Sequence, residues 1–151
     1  MVFNETQMKK AFLLFREGYD YKYVTTYFKN KKNKISESKK IDLIIKAVIT
    51  HLDIPEDVFK SKYRGRKVVD ARAIYYYLSK AFTNKSYYYI GEKVNRDHAS
   101  AIHGFNQLVD LVDIGDKKLK KQLSEVKKLY NAYIREVKWL IEELIDWSHL
   151  Y

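Results

Sequence analysis

The chain has 151 residues, 29 Lys+Arg against 19 Asp+Glu for a formal net charge of +10, and no cysteine. That length suits one ordinary domain or a small one with appendages, and the missing thiol excludes cysteine nucleophiles, disulfide frameworks and Cys-ligated metal centres. A hydrophobic fraction of 46% in short apolar runs excludes disorder and a membrane span, while five Gly and one Pro favour an all-α chain.

Asn4, Glu5, Lys9 and Lys10 interrupt the start, so no secretory signal is expected and the chain reads as soluble and cytoplasmic. Asn4 and Gln7 form a capping pair, and Met8, Ala11, Phe12 and Phe15 follow at helical spacing until Gly18 stops the helix. Tyr23, Val24, Tyr27 and Phe28 make a second short apolar face. Residues 29–34, KNKKNK, read as a charged connector, either solvated or an arm on phosphates. Over residues 38–52, Ile41, Ile44, Ile45, Val48, Ile49 and Leu52 recur at intervals of three and four, giving an amphipathic helix. Pro55 opens a short helix to Phe59. A basic loop follows, with Lys60, Lys62, Arg64, Arg66 and Lys67 around Gly65. The next helix is predicted from about Asp70 to Phe82 and carries Arg72.

Ser86 caps a short helix that stops near Gly91, and Asn95, Arg96 and Asp97 open the next, with Ala101, Ile102, Phe105 and Leu108 facing inward to Gly115. Residues 86–103 read as a helix-turn-helix, whose second helix presents its first turn to the DNA major groove. Arg96, Asp97, His98 and Ser100 lie on that turn. Beyond it, Leu119, Leu123, Val126, Tyr130, Tyr133, Val137, Leu140, Leu144, Trp147 and Tyr151 fill ten successive heptad positions. Such a stripe needs cover, either from the same chain or from a second copy in a homodimer.

Residues 83–103, TNKSYYYIGEKVNRDHASAIH, closely resemble the signature of the C-terminal DNA-binding domain of the bacterial replication initiator DnaA. The likeness rests on Thr83, Asn84, Ser86, Ile90, Gly91, Arg96, Asp97, His98, Ile102 and His103, and the upstream layout agrees from about residue 38. The resemblance implies double-stranded DNA as partner. It implies base contacts at Asp97, His98 and Ala99, and backbone contacts at Ser100 and His103. Ser86 and Arg96, with the cations Lys62, Arg64, Arg66, Lys67 and Arg72, complete the expected phosphate-contacting set. Departures are visible too: Ala99-Ser100 stands for a Thr-Thr pair, Asp70 takes the place of a minor-groove basic residue, Asn95 replaces one turn glycine, and Tyr87-Tyr88 replaces Leu-Pro. These imply a target other than the family's own box.

Bland readings stand beside these. Asp97 as a helix cap is compatible with base readout. His98 and His103, five residues apart, lie about 140° apart on a helix and make a poor metal pair, so no metal or cofactor is called for. The triplets at 75–77 and 87–89 suggest stacking on single strands, or packing. Nothing resembles a phosphate-binding G-x-x-x-x-G-K-[ST] loop, and no nucleophile, base and orienter cluster, so an enzyme is not expected. The expected organisation is a helical appendage over 1–37, a helix-turn-helix domain over 38–115 and a heptad helix over 116–151. The expected role is a free-standing site binder in replication, regulation or packaging, on a phage or mobile element. A structural or interaction module that does not bind DNA and works through the heptad helix is the alternative, and no membrane partner is expected on either reading.

Overall fold

The computed structural model describes residues 4–32 and 35–147, with side chains for 4–28 and 35–140. Among the described residues there are eight helices and no strand: α1 (Glu5–Arg16), α2 (Tyr21–Lys32), α3 (Glu37–His51), α4 (Glu56–Phe59), α5 (Arg66–Phe82), α6 (Tyr87–Glu92), α7 (His98–Asp113) and α8 (Lys117–Trp147). The fold is all-α. No helix among the described residues is long and apolar enough to cross a membrane.

Local chemistry sets most of the starts. Asn4 and Gln7 form the reciprocal capping box of α1. The Ser36 hydroxyl accepts the Lys39 amide at the head of α3, and Ser86 does the same for Tyr89 in α6. Gly18 takes a positive φ of 94° just beyond α1. Three boundaries differ from the sequence expectation. Helix α2 continues through Lys32, so residues 29–32 are helical backbone rather than connector; the side chains of 29–34 lie outside the described residues. Pro55 is the N-cap of α4, not its first residue. Helix α5 begins at Arg66, four residues early, which moves Arg66 and Lys67 out of the loop and into a first helical turn.

The chain divides into two compact units, residues 1–35 with 135–151, and residues 36–134. In the first, Ala11, Leu14, Val24 and Phe28 form a small core with Tyr27 against it. The second unit holds α3 to α7 and takes in the first part of α8, which the sequence assigned to a separate segment. Its core is built on α5: Ala71, Ile74, Tyr75 and Leu78 are buried with Ile41, Ile44 and Val48 of α3, Phe59 of α4, Ile90 of α6, and Ala101 and Leu108 of α7. Each of the Val, Leu, Ile and Phe side chains among these contributes about 1.5–3 kcal/mol by leaving water. Gly104 lets α7 approach closely, because a Cβ there would lie 2.6 Å from the Tyr76 ring. Buried Tyr75 donates its hydroxyl to the Ile90 carbonyl at 2.7 Å, tying α5 to the positioning helix.

On α8 the heptad stripe is covered from within this unit at its start. Leu119, Val126 and Tyr130 are buried, the last with its ring stacked on Phe82 of α5. Leu140 is 47% exposed, and Leu144, Trp147 and Tyr151 lie outside the described side chains.

The turn between α6 and α7 folds back on Gly91. The Arg96 amide donates to the Gly91 carbonyl at 2.9 Å, and a Cβ on Gly91 would lie 2.8 Å from the carbonyl oxygens of Arg96 and Asp97. Asn95 supplies the bend with φ 57°, and its Nδ2 donates to the Lys60 carbonyl, fastening the turn to the basic loop. Gly91→Ala should therefore cost about 1–3 kcal/mol by overpacking, seen as a clear drop in thermal midpoint. An unchanged melting curve would show that this close approach does not hold the turn.

Candidate nucleic-acid interface

Helix α7 starts because Asp97 caps it: carboxylate Oδ1 accepts the Ser100 amide at 2.7 Å. Hydrogen bonds from the Ser100 hydroxyl and backbone hold the Asp97 carboxyl below its ordinary pKa, so it is ionised at neutral pH. Asp97, His98 and Ala99 are all exposed on the first turn of α7, and Ser100 is half-buried behind them. Ile102, expected inward, is 37% exposed. Tyr88 of α6 lies beside His98, ring centroids 6.3 Å apart, and is 67% exposed.

Next to this turn, a cleft of about 270 Å³ is lined by Arg64, Val69, Arg72, Tyr76, Arg96, Ser100, His103, Gly104 and Gln107. The fold thus brings together Arg64 of the loop, Arg96 of the turn, and Ser100 and His103 of α7. Burial raises the Tyr76 hydroxyl pKa, and Arg96, bonded to that side chain, opposes the rise.

Arg72 differs from the expectation of a phosphate contact. It is 4% exposed, and its guanidinium is spent on four carbonyls of the segment leading into the loop. Nε donates to Phe59 at 2.9 Å, Nη1 to Tyr63 at 2.6 Å, and Nη2 to Ser61 at 2.6 Å and Val58 at 3.3 Å. Burial lowers its pKa, and the neighbouring Arg96 charge lowers it further. Five donors in a planar fork can collect diverging carbonyls in this way, which makes Arg72 the brace of the basic loop rather than a ligand.

The other cations separate. Arg66 pairs with Asp70 one turn on, at 3.2 Å, so Asp70 offsets one cation of the basic cluster. Lys67 Nζ reaches the Asp53 carbonyl at 3.4 Å, and Lys60 pairs with Glu56 at 2.8 Å. Lys62 is exposed in the loop but does not line the cleft. Ser86 also lies away from the cleft; its oxygen caps α6, which leaves its hydroxyl proton for an outside acceptor. Sequence reasoning missed Gln107 in the cleft and Tyr88 at His98. The signal for Tyr88 was present, a tyrosine at the second position of a short capped helix, but only packing shows which residue of the triplet faces out. In the other triplet, Tyr75 and Tyr76 are buried and Tyr77 stacks on Phe105, so those rings pack rather than offer a stacking platform. Among the described residues no group of three or more His, Cys, Asp or Glu side chains is placed to hold a metal ion.

Comparison with known proteins gives one consistent answer. Residues 41–108 match the family described as bacterial dnaA protein helix-turn-helix. The chromosomal replication initiator protein DnaA of Flavobacterium psychrophilum is 34% identical over 106 residues, 70% of this chain and 21% of that protein. Its counterpart in Bacteroides thetaiotaomicron is 36% identical over 104 residues, 68% of this chain and 20% of that protein. The chain thus spans about a fifth of the length of these curated relatives. The matched segment contains α5, α6 and the cleft-lining part of α7, so the recognition turn and most of the cleft lie within the stretch that is similar to the bacterial dnaA protein helix-turn-helix.

Proposed function

We propose that this chain binds double-stranded DNA sequence-specifically, occupying sites in replication, regulation or packaging by binding rather than by catalysis. The observation that carries this reading is the exposed first turn of α7 standing beside a cleft lined by Arg64, Arg96, Ser100 and His103. Asp97, His98 and Ala99 read base edges: Asp97 accepts from an exocyclic amino group with the oxygen not used in capping, His98 donates to an acceptor, and the Ala99 methyl meets a thymine methyl. Arg64, Arg96, Ser100 and His103 hold phosphates, with Lys62, Arg66, Lys67 and Ser86 on the flanks, while Arg72 keeps the loop in shape. The exposed ring of Tyr88 extends the readout surface next to His98.

The test is a duplex titration at several salt concentrations. Log K should fall linearly with log salt, with a slope matching about four to seven phosphate contacts. His98→Ala should flatten the preference among sequences with little change in that slope. No binding to any duplex at low salt overturns the reading.

A second copy docking on the outer part of α8 is the second reading, favoured by the exposure of Trp139 and Leu140. A monomer mass by light scattering at micromolar concentration would remove it.

A further inference from the structure

The solvent side of α8 breaks the rules that stabilise a helix. Residues 117–128 hold six lysines and one carboxylate, Glu125. That carboxylate turns toward His51 Nε2, at 3.7 Å, and the Asp116 side chain is used to cap the Leu119 amide. No acidic residue occupies the first turn of α8. Cations at that end meet the positive pole of the helix dipole, which opposes them. Lys117 and Lys121 also repel at i,i+4, as do Lys117 and Lys120 at i,i+3. A sequence that accepts such costs without a gain in folding is spending them on a ligand.

Helical geometry collects Lys117, Lys120, Lys121, Lys127 and Lys128 on one arc opposite the buried Leu119, Val126 and Tyr130. All five are exposed, and Ser124 and Asn131 fill the spaces between them. The stripe runs about 17 Å. Its composition selects the ligand: α8 itself puts no aromatic or apolar side chain on the arc, and the flanking α5 rings are already engaged, Tyr77 stacked on Phe105 and Phe82 on Tyr130, which leaves no platform for single-stranded bases and no apolar wedge for a bilayer. What remains is a row of point charges against a dense row of negative charge, as on duplex DNA, which carries one charge per about 1.7 Å of axis.

The stripe also stands apart from the recognition turn. Helix α7 runs about 24 Å from His98 before α8 begins, so the two sites start from opposite ends of that helix. The recognition cleft lies against the N-terminal half of α5, whereas α8 packs on its far end, where Lys127 Nζ sits 5.8 Å from the Phe82 ring centroid. We infer that the lysine face of α8 is a second, sequence-independent site for the phosphate backbone of another DNA duplex, so that one molecule joins two duplexes. This inference rests on the DNA-binding reading of the recognition turn.

The test captures an immobilised duplex selected for tight binding and measures retention of a second, labelled duplex by the full chain. A variant with glutamine at 117, 120, 121, 127 and 128 should hold the first duplex within threefold of the parent affinity and retain the second at least tenfold less well. Its thermal midpoint should be equal or higher, since the repulsion is gone, which excludes unfolding as the cause. Persistent bridging by this variant would assign it to self-association and overturn the inference. A tenfold loss on the first duplex as well would place the stripe on the same DNA and also overturn it. A parent protein that holds the first duplex but never the second fails the inference alone, whereas one that holds no duplex fails the DNA-binding reading with it.

Discussion

Arg72→Ala should lower the stability of the 36–134 unit by about 3 kcal/mol, a loss of roughly 12–20 °C in thermal midpoint for a unit of this size. The guanidinium serves the carbonyls of Val58, Phe59, Ser61 and Tyr63 together, and a buried carbonyl left without its donor costs about 1–3 kcal/mol. Four such carbonyls would together cost about 4–12 kcal/mol, but most of that is recovered as the loop opens to water, which brings the expected loss down to about 3 kcal/mol. Arg72→Lys should recover little, because a single ammonium with three tetrahedral donors cannot span four carbonyls that a planar fork reaches. A phosphate-contacting role predicts the opposite pattern: unchanged stability, reduced DNA affinity and substantial rescue by lysine. Thermal unfolding of the three proteins without DNA separates the two roles, and a stable Arg72→Ala protein would remove Arg72 as the brace of the loop.

Arg72 also marks where sequence reading stops. A cation inside a cluster of six within 13 residues reads as one more phosphate ligand, because the carbonyls that claim it are invisible in the sequence and are assembled only by the fold. The start of α5 was missed for a related reason. Gly65 offers no side-chain cap, so nothing in the sequence announces a helix at Arg66, and the ion pair with Asp70 that follows from that start went unseen. By contrast, the recognition turn was legible because its chemistry is local. Asp97 caps the amide three residues on, Asn95 bends the backbone, and Gly91 makes room for the return. Periodicity likewise showed which side of α8 is apolar, but not that Phe82 of α5 would be the ring that stacks on Tyr130.

Replacing Arg64 and Arg96 together by glutamine should reduce affinity for every duplex by about 10- to 100-fold and lower the magnitude of the salt slope by about 2. Both side chains line the cleft beside the recognition turn, where two phosphate contacts would release about 0.9 counterion each. The fold should tolerate the change. Arg64 is exposed, and Arg96 is a like charge next to Arg72, so its removal relieves a repulsion that now lowers the Arg72 pKa. Glutamine at 96 keeps a donor for the Tyr76 hydroxyl, which an alanine would not. Ranking of sequences should be preserved, because Asp97, His98 and Ala99 are untouched and phosphate contacts carry no base information. Preserved affinity with an unchanged slope would remove the cleft as the backbone site. Lost discrimination among sequences would instead move Arg96 from holding the DNA to reading it.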